Sequence, residues 1–249
     1  MRGDWECTAE ETEDFAKPAL RIGWRFVRGA GDKTVDRLRE ARARAPFTSI
    51  ADVVERAAFT RGDVLAFAQA GAFEVWAADR RHAAWEGLRA SGDVLPLAPA
   101  TVSYHEPVPI NRDQLVFMDY HAVGMSIYGH PMESVRAMLK RGGAIDSKEL
   151  ESMPNRRVVT VGGLVTVRQR PATAGGTIFL LLEDELGYVN VVVPQPLVAP
   201  NEEVVKRAPF VLVQGRVEND GAAISVVGQR FKELEVGAAS LTHRAHEFR

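Results

Sequence analysis

The chain has 249 residues, 46% of them hydrophobic and 26% charged, with a formal net charge of −2; these values suit an ordinary globular protein of two modest domains or one large one. So small a net charge excludes a globally basic surface, and any anion-binding role must rest on local patches. The single Cys7 excludes an internal disulfide framework, no apolar run approaches the roughly 20 residues of a bilayer span, and the acidic start lacks the apolar core of a secretory signal, so the expected location is the cytoplasm.

The first fifteen residues carry six acids and one arginine, whereas Arg21 to Arg61 hold ten basic residues against five acidic ones, a local excess of five. Averaging over the whole chain hides this basic block and its acidic leader. Within the block Asp32 is expected to cap a helix through Val35, Leu38 and Ala41 that Pro46 stops. Ser49 with Asp52, and Thr60 with Asp63, resemble capping boxes opening helices with Val53, Val54 and Ala57 and with Val64, Leu65 and Ala68; Gly71 is a natural stop. Asp79 is expected to cap a further helix along Ala84, Trp85 and Leu88. The following segment, SGDVLPLAPATVSYHEPVP, carries four prolines that deny a continuous helix or central strand. A last helix is expected from Pro131, whose ring suits a first turn, through Val135, Met138 and Leu139 to Gly142-Gly143.

From Arg156 the hydrophobic period changes from helical to alternating. Strands are expected over 157–167, 177–183, 188–193, 210–217 and 222–234, with a short helix over 201–207 and hairpin turns at 185–187 and 219–221. Five strands with a helix between the third and fourth is the order of an OB-type β-barrel, with Gly162-Gly163 bending the long first strand. The fold class is therefore α+β in two domains. The expected division is an acidic leader (1–20), a helix-hairpin-helix domain (21–90), a Pro-rich linker (91–112), a helical connector (113–155), an OB-fold domain (156–236) and a polar tail (237–249).

Val27-Arg-Gly-Ala-Gly-Asp-Lys-Thr-Val-Asp-Arg-Leu38 has the form of the hairpin in a helix-hairpin-helix motif. Gly29 and Gly31 permit a tight turn with exposed backbone N–H groups, and a helix start can hold a phosphate. Arg28, Lys33, Thr34 and Arg37 complete the expected site; such a contact ignores base identity and is sensitive to salt. The bland alternative is a Gly-containing turn between helices. In the barrel, alternation points Val189, Val191 and Val193, and Ile178, Leu180 and Leu182, inward, leaving Phe179, Tyr188 and Asn190 to face out as a stacking platform for unpaired bases. Arg168 and Arg170 share a face at the start of the loop 168–176, the place of an OB ligand-binding loop. The competing reading makes Phe179 core, the arginines merely solvated and the barrel a packing unit.

Catalytic templates are missing. The six histidines show no metal-ligand spacing, His243 and His246 sit in a polar tail, His130 helps to start a helix, and Glu183-Asp184-Glu185 reads as a solvated turn. Ser126 and Ser225 lack a nucleophile elbow, no phosphate loop appears, and one cysteine near an end makes a poor nucleophile.

Several runs resemble bacterial error-prone DNA polymerases related to the polymerase III alpha subunit: Trp5–Thr8, Pro18–Gly31, Pro46–Ser49, Ala70–Phe73 with Arg80, Arg81 and Trp85, Asp119–Ser126 with His130–Met132, and Val165–Ala174 continued by Phe179–Glu185 and Val189–Val191. The resemblance implies that family's C-terminal portion, a helix-hairpin-helix grip followed by an OB domain, acting in damage-induced mutagenesis and translesion synthesis. It departs at Val193-Pro194, where an aromatic is expected. The implied partners are primer–template duplex, single-stranded template and other proteins of a mutagenic polymerase complex, with no membrane and no small-molecule substrate. No cofactor is expected in this chain, and Mg2+ would belong to the palm, which is not seen here; no catalytic activity is expected of the chain alone. The alternative function is a protein-interaction adaptor in a repair complex.

Overall fold

The structure, a computed structural model, describes residues 3–12, 17–92, 110–219, 221 and 223–237, with the backbone alone at 246–248. The greater part of the proline-rich linker, His105 and His243 lie outside the described residues. The chain divides into two compact units, Met1–Met125 and Ser126–Arg249. This boundary splits the expected connector: its first helix belongs to the first unit and the remainder to the barrel's.

In the first unit β1 (Thr8–Glu10) and β2 (Ala19–Arg21) form an antiparallel pair. A 3-10 turn, Trp24–Phe26, leads through the hairpin to α1 (Asp32–Arg44), α2 (Ile50–Arg56), α3 (Arg61–Gln69), α4 (Arg80–Ala90) and α5 (Arg112–Ala122). The leader is thus partly built into the fold. Each helix buries the apolar face that its period implies: Val35, Leu38 and Ala41; Ile50, Val53 and Val54; Val64, Phe67 and Ala68. Phe67 is central, with ring centroids 5.1 Å from Phe59 and 6.1 Å from Trp24.

The caps follow the sequence closely. Ser49 accepts from the Asp52 amide, Thr60 and Asp63 form a complete capping box, and Asp79 accepts from the Arg81 and His82 amides. At Ser49 only half of a box forms, because the Asp52 carboxylate takes the Thr48 amide instead. Asp32 does not cap α1: Gly31 is the N-cap and Asp32 the first helical residue. The acid still lies where the helix dipole favours negative charge.

The second unit opens with α6 (Glu133–Arg141) and α7 (Ser147–Glu151), then β3 (Val158–Gln169), β4 (Ile178–Glu183), β5 (Tyr188–Val193), α8 (Gln195–Val198), α9 (Glu202–Arg207), β6 (Phe210–Asn219) and β7 (Ile224–Glu233). His130 starts α6 as expected: its Nδ1 accepts from the Met132 amide at 3.1 Å and its amide donates to Glu133. The strands run β4-β5-β7-β6-β3, and β3 also pairs with β4, which closes a five-stranded barrel. β5 and β7 are parallel and the other barrel pairs antiparallel. With helices between the third and fourth barrel strands, this is OB topology. An additional short strand, β8 (His246–Phe248), pairs in parallel with Val167–Gln169 inside the expected polar tail.

Val159, Val161, Val165, Leu180, Leu182, Val191, Val193, Val213 and Val226 fill the barrel. Val193 is fully buried there, at the position where the resemblance calls for an aromatic. Gly163 permits closure at a close approach: a Cβ would stand 2.8 Å from the Glu183 carbonyl oxygen. The register irregularity itself falls between Val165 and Val167.

Candidate nucleic-acid interface

In the first unit the hairpin is built as its pattern implies. The apolar positions Val27, Val35 and Leu38 are buried, while Gly29, Gly31, Asp32 and Lys33 are exposed. Gly29 has φ +91°, a conformation most side chains resist. Gly31 is extended and a Cβ there would meet nothing, so its value is open access to the backbone. The Thr34 and Val35 amides return to the Gly31 carbonyl at 3.0 and 3.2 Å. Among the described residues the amides of Gly29, Gly31, Asp32 and Lys33 have no acceptor. A helix start presents such N–H groups with partial positive charge, the arrangement that receives a phosphate.

The side chains expected around this turn separate into two groups. Arg28 and Lys33 are exposed beside it; the Arg28 amide donates to Ala122 at 2.8 Å, and partial burial lowers its guanidinium pKa. Thr34 faces inward, and its hydroxyl donates to Asp63 at 2.8 Å. That correction has a simple cause: Thr34 is one position from Val35 on the buried face, and Asp63 needs a donor there. Arg37 divides its contacts, lying 3.4 Å from Asp63 and 3.2 Å from the Thr34 hydroxyl with its Nε buried and unpartnered.

Charge around the hairpin is smaller than composition implies. The leader's Asp4, Glu6 and Glu10 pair with Arg39, Arg25 and Arg21 at 2.5, 2.7 and 2.5 Å. Counted over Arg21 to Arg61, the excess of five basic residues is thereby reduced to two. The Asp4 carboxyl is held below its usual range by the Trp5 amide and then by Arg39. Lys33 has no such partner among the described residues.

In the second unit Phe179, Tyr188 and Asn190 lie on the outer face of β4 and β5, exposed, with Tyr188 61% accessible. Register places Phe179 opposite Val192, Leu181 opposite Asn190 and Glu183 opposite Tyr188. The platform is an open, partly apolar strip rather than core.

The two arginines expected beside it do different work. Arg168 lies opposite Leu180, whose side chain is internal. Its buried guanidinium donates from Nε to the Val205 carbonyl at 3.0 Å and from Nη2 to the Ala208 carbonyl. It holds the C-terminus of α9 against the barrel and is withdrawn from the surface. Arg170 lies just past the end of β3, exposed, and its charge helps to lower the Glu202 pKa behind that carboxylate's main partner, Lys206. Arg168 and Arg170 therefore do not form one surface: the first is internal and the second stands beyond the end of the strand.

Glu183-Asp184-Glu185 is not a solvated turn. Asp184 is buried, accepting from the Ser147 hydroxyl and amide at 2.6 and 2.8 Å and from the Leu186 and Gly187 amides. Arg136 on α6 meets Asp184 at 3.1 Å and Glu185 at 2.5 Å. In the first unit buried Arg80 plays a similar role, bonding Asp119 at 2.6 Å and the Gln69 carbonyl at 3.0 Å. No periodicity reveals these locks, since each joins residues far apart in sequence. Among the described residues no group of three or more His, Cys, Asp or Glu side chains is placed to hold a metal ion, and no helix is long and apolar enough to cross a membrane.

Comparison with known proteins adds to this geometry. Residues 1–83 match the family model of the helix-hairpin-helix motif. The chain is 35% identical, over 98% of itself, to an error-prone DNA polymerase of Azoarcus sp. (strain BH72), and covers 24% of that protein. It is 39% identical over 92% of itself to one from Anaeromyxobacter dehalogenans (strain 2CP-1 / ATCC BAA-258), covering 20% of it. The chain therefore spans about a quarter or less of the length of these relatives. Among solved structures, asparaginyl-tRNA synthetase from Pyrococcus horikoshii matches at 24% identity and a TM-score of 0.33, over 38% of this chain and 23% of that one. So slight a similarity carries no weight beside the strand order itself.

Proposed function

Because the chain is a homologue of the C-terminal part of the error-prone DNA polymerases, we propose that it binds DNA without regard to sequence. The hairpin grips duplex phosphates and the barrel's outer face holds a single strand. The observation that carries the proposal is the set of exposed amides of Gly29, Gly31, Asp32 and Lys33, which among the described residues have no acceptor, beside the Lys33 ammonium, which has no partner among them either. Backbone amides and a lysine recognise phosphate and are indifferent to bases. Phe179 and Tyr188 offer ring faces on which any base can stack, each worth about 1–3 kcal/mol. The setting is template handling during translesion synthesis, with nucleotidyl transfer performed by a catalytic centre of the polymerase type.

Fluorescence anisotropy of labelled duplex and labelled single strand, titrated across a range of salt, tests the reading. Log affinity should fall linearly with log salt for both ligands, because phosphate contacts release counterions. Gly31→Val should weaken duplex binding, and Phe179→Ala should weaken single-strand binding. A flat salt dependence would leave a protein adaptor as the better account.

A further inference from the structure

Asp63 is buried where two helix starts meet. It is the third residue of α3, and its carboxylate closes that helix's capping box. Oδ2 accepts from the Thr60 amide at 2.9 Å and from the Thr60 hydroxyl at 2.8 Å. Oδ1 reaches across to the first turn of α1 and accepts from the Thr34 hydroxyl at 2.8 Å. These three donors serve both oxygens of a buried carboxylate, and they tie the start of α1, with its open amides, to the start of α3.

Arg37 is the fourth group at this junction and the most loosely held. Side chains on a helix lean back toward its N-terminus, so Arg37, one turn beyond Thr34, returns its guanidinium to the first turn. There Nη2 lies 3.2 Å from the Thr34 hydroxyl and 3.4 Å from Asp63 Oδ2, long for contacts of a charged donor. Its Nε is buried with no acceptor among the described residues, which is costly for a donor. The side chain as a whole is still 39% exposed, so solvent reaches one side of it. Asp63 is satisfied without Arg37, and Arg37 is poorly satisfied by Asp63. Opening the pair therefore costs little and releases an unsatisfied donor.

We propose that Arg37 and Asp63 form a latch behind the hairpin. Asp63 is a positioning residue that holds Arg37 at the foot of α1 in the unbound chain, and a phosphodiester seated on the open amides draws Arg37 away. The latch rests on the duplex-grip reading given above and adds to it a residue that regulates the grip without touching DNA. In the bound state the Arg37 fork exchanges its long contacts for charged hydrogen bonds to phosphate, while Asp63 keeps its three donors. The carboxylate thus acts in two ways. It keeps the guanidinium folded beside the amides instead of extended into solvent, and its charge sets how firmly the arginine is held back.

The test compares the full chain with Arg37→Gln, Asp63→Asn and the double variant in binding of labelled duplex across salt. Asparagine can keep the Thr60 amide on its oxygen and offer its NH2 to the Thr34 hydroxyl, which also accepts, so the junction is retained while the charge is lost. Arg37→Gln should reduce the salt slope by about 0.9, which is about an eightfold loss at roughly 0.1 M salt relative to 1 M. Asp63→Asn should tighten duplex binding about fivefold with Arg37 present, the upper end of what a partly exposed pair is worth. With glutamine at position 37 the same change should tighten it less than about twofold, a coupling that a carboxylate serving only the fold does not produce. Equal tightening in both backgrounds overturns the latch, as does looser binding by an Asp63→Asn variant that melts as wild type does. A salt slope left unchanged by Arg37→Gln overturns it too, and that variant decides the matter if Asp63→Asn does not fold. If wild type binds duplex and Gly31→Val weakens it, the grip stands whatever becomes of the latch. If wild type binds no duplex, both fall.

Discussion

Replacing Arg168 with methionine separates a structural role from a binding one. Methionine retains an apolar stem of similar length but removes both donors that hold the Val205 and Ala208 carbonyls. Leaving a buried carbonyl unsatisfied costs about 1–3 kcal/mol, so two cost about 4 kcal/mol. Relief from no longer burying a guanidinium returns part of this, leaving a net loss of about 3 kcal/mol. For a unit of this size the midpoint should fall by about 10 °C. The tryptophans provide an internal control, because Trp5, Trp24, Trp76 and Trp85 all lie in the first unit. Far-ultraviolet circular dichroism follows both units, whereas tryptophan fluorescence follows the first. The dichroism transition of the barrel should move down while the fluorescence transition stays in place. Single-strand affinity, measured well below the new midpoint, should be unchanged. An unmoved barrel transition, or lost affinity in a folded variant, would refute the assignment of Arg168 to the α9 contact.

Gly29→Val should cost the first unit about 1–2 kcal/mol through its positive φ, whereas Gly31→Val, at an N-cap in extended backbone, should cost about 0.5 kcal/mol and weaken duplex binding; equal melting losses would contradict the division drawn between the two glycines. Asp184→Asn should destabilise the second unit by about 3 kcal/mol, since Arg136 loses a partner and the Ser147 and turn amides lose part of their acceptor; denaturant titration by circular dichroism measures it. Burial lowers the His130 pKa against the pull of Glu185 and Asp184, so the folded state holds fewer protons there than the unfolded state. Its contribution is present above about pH 6.5 and lost as pH falls from there through the folded value; melting from neutral to mildly acidic pH should show the loss in wild type and a smaller one in His130→Gln, and equal losses would dismiss it. Glu183, raised by burial and then by Asp184, acts in the opposite sense, stabilising as pH falls through its own range.

Local chemistry was legible in the sequence, and so was strand order. Ser49, Thr60 and Asp79 act as caps because a cap needs only its own next few residues. Strict alternation placed Phe179, Tyr188 and Asn190 outside because a pleated strand has two faces and the apolar one must be buried. Alternation says less at a barrel's end. Arg168 follows the inner face even though it is charged, since α9 supplies carbonyls that only a folded chain brings near. Asp184 failed as a solvated turn for the same reason: its partners Ser147 and Arg136 lie 37 and 48 residues away. Arg80 and Asp119, which both fall in runs that resemble the polymerase family, form a buried ion pair at 2.6 Å across 39 residues of sequence.

The leader bears on the DNA grip proposed for the hairpin. Its carboxylates neutralise Arg21, Arg25 and Arg39, so the block cannot act as a smooth cationic surface. Among the described residues, Lys33 and the amides of Gly31, Asp32 and Lys33 stand without a partner at the start of α1. A diffuse basic face would bind any polyanion in many registers, held by long-range attraction that salt readily screens. A few amides at a helix start instead demand a phosphate at a fixed position, and they retain their partial charges at any salt. The same logic holds on the barrel, where Arg168 is spent on α9. On the proposed function, both surfaces would hold a strand in position with modest affinity at each and no dependence on base identity.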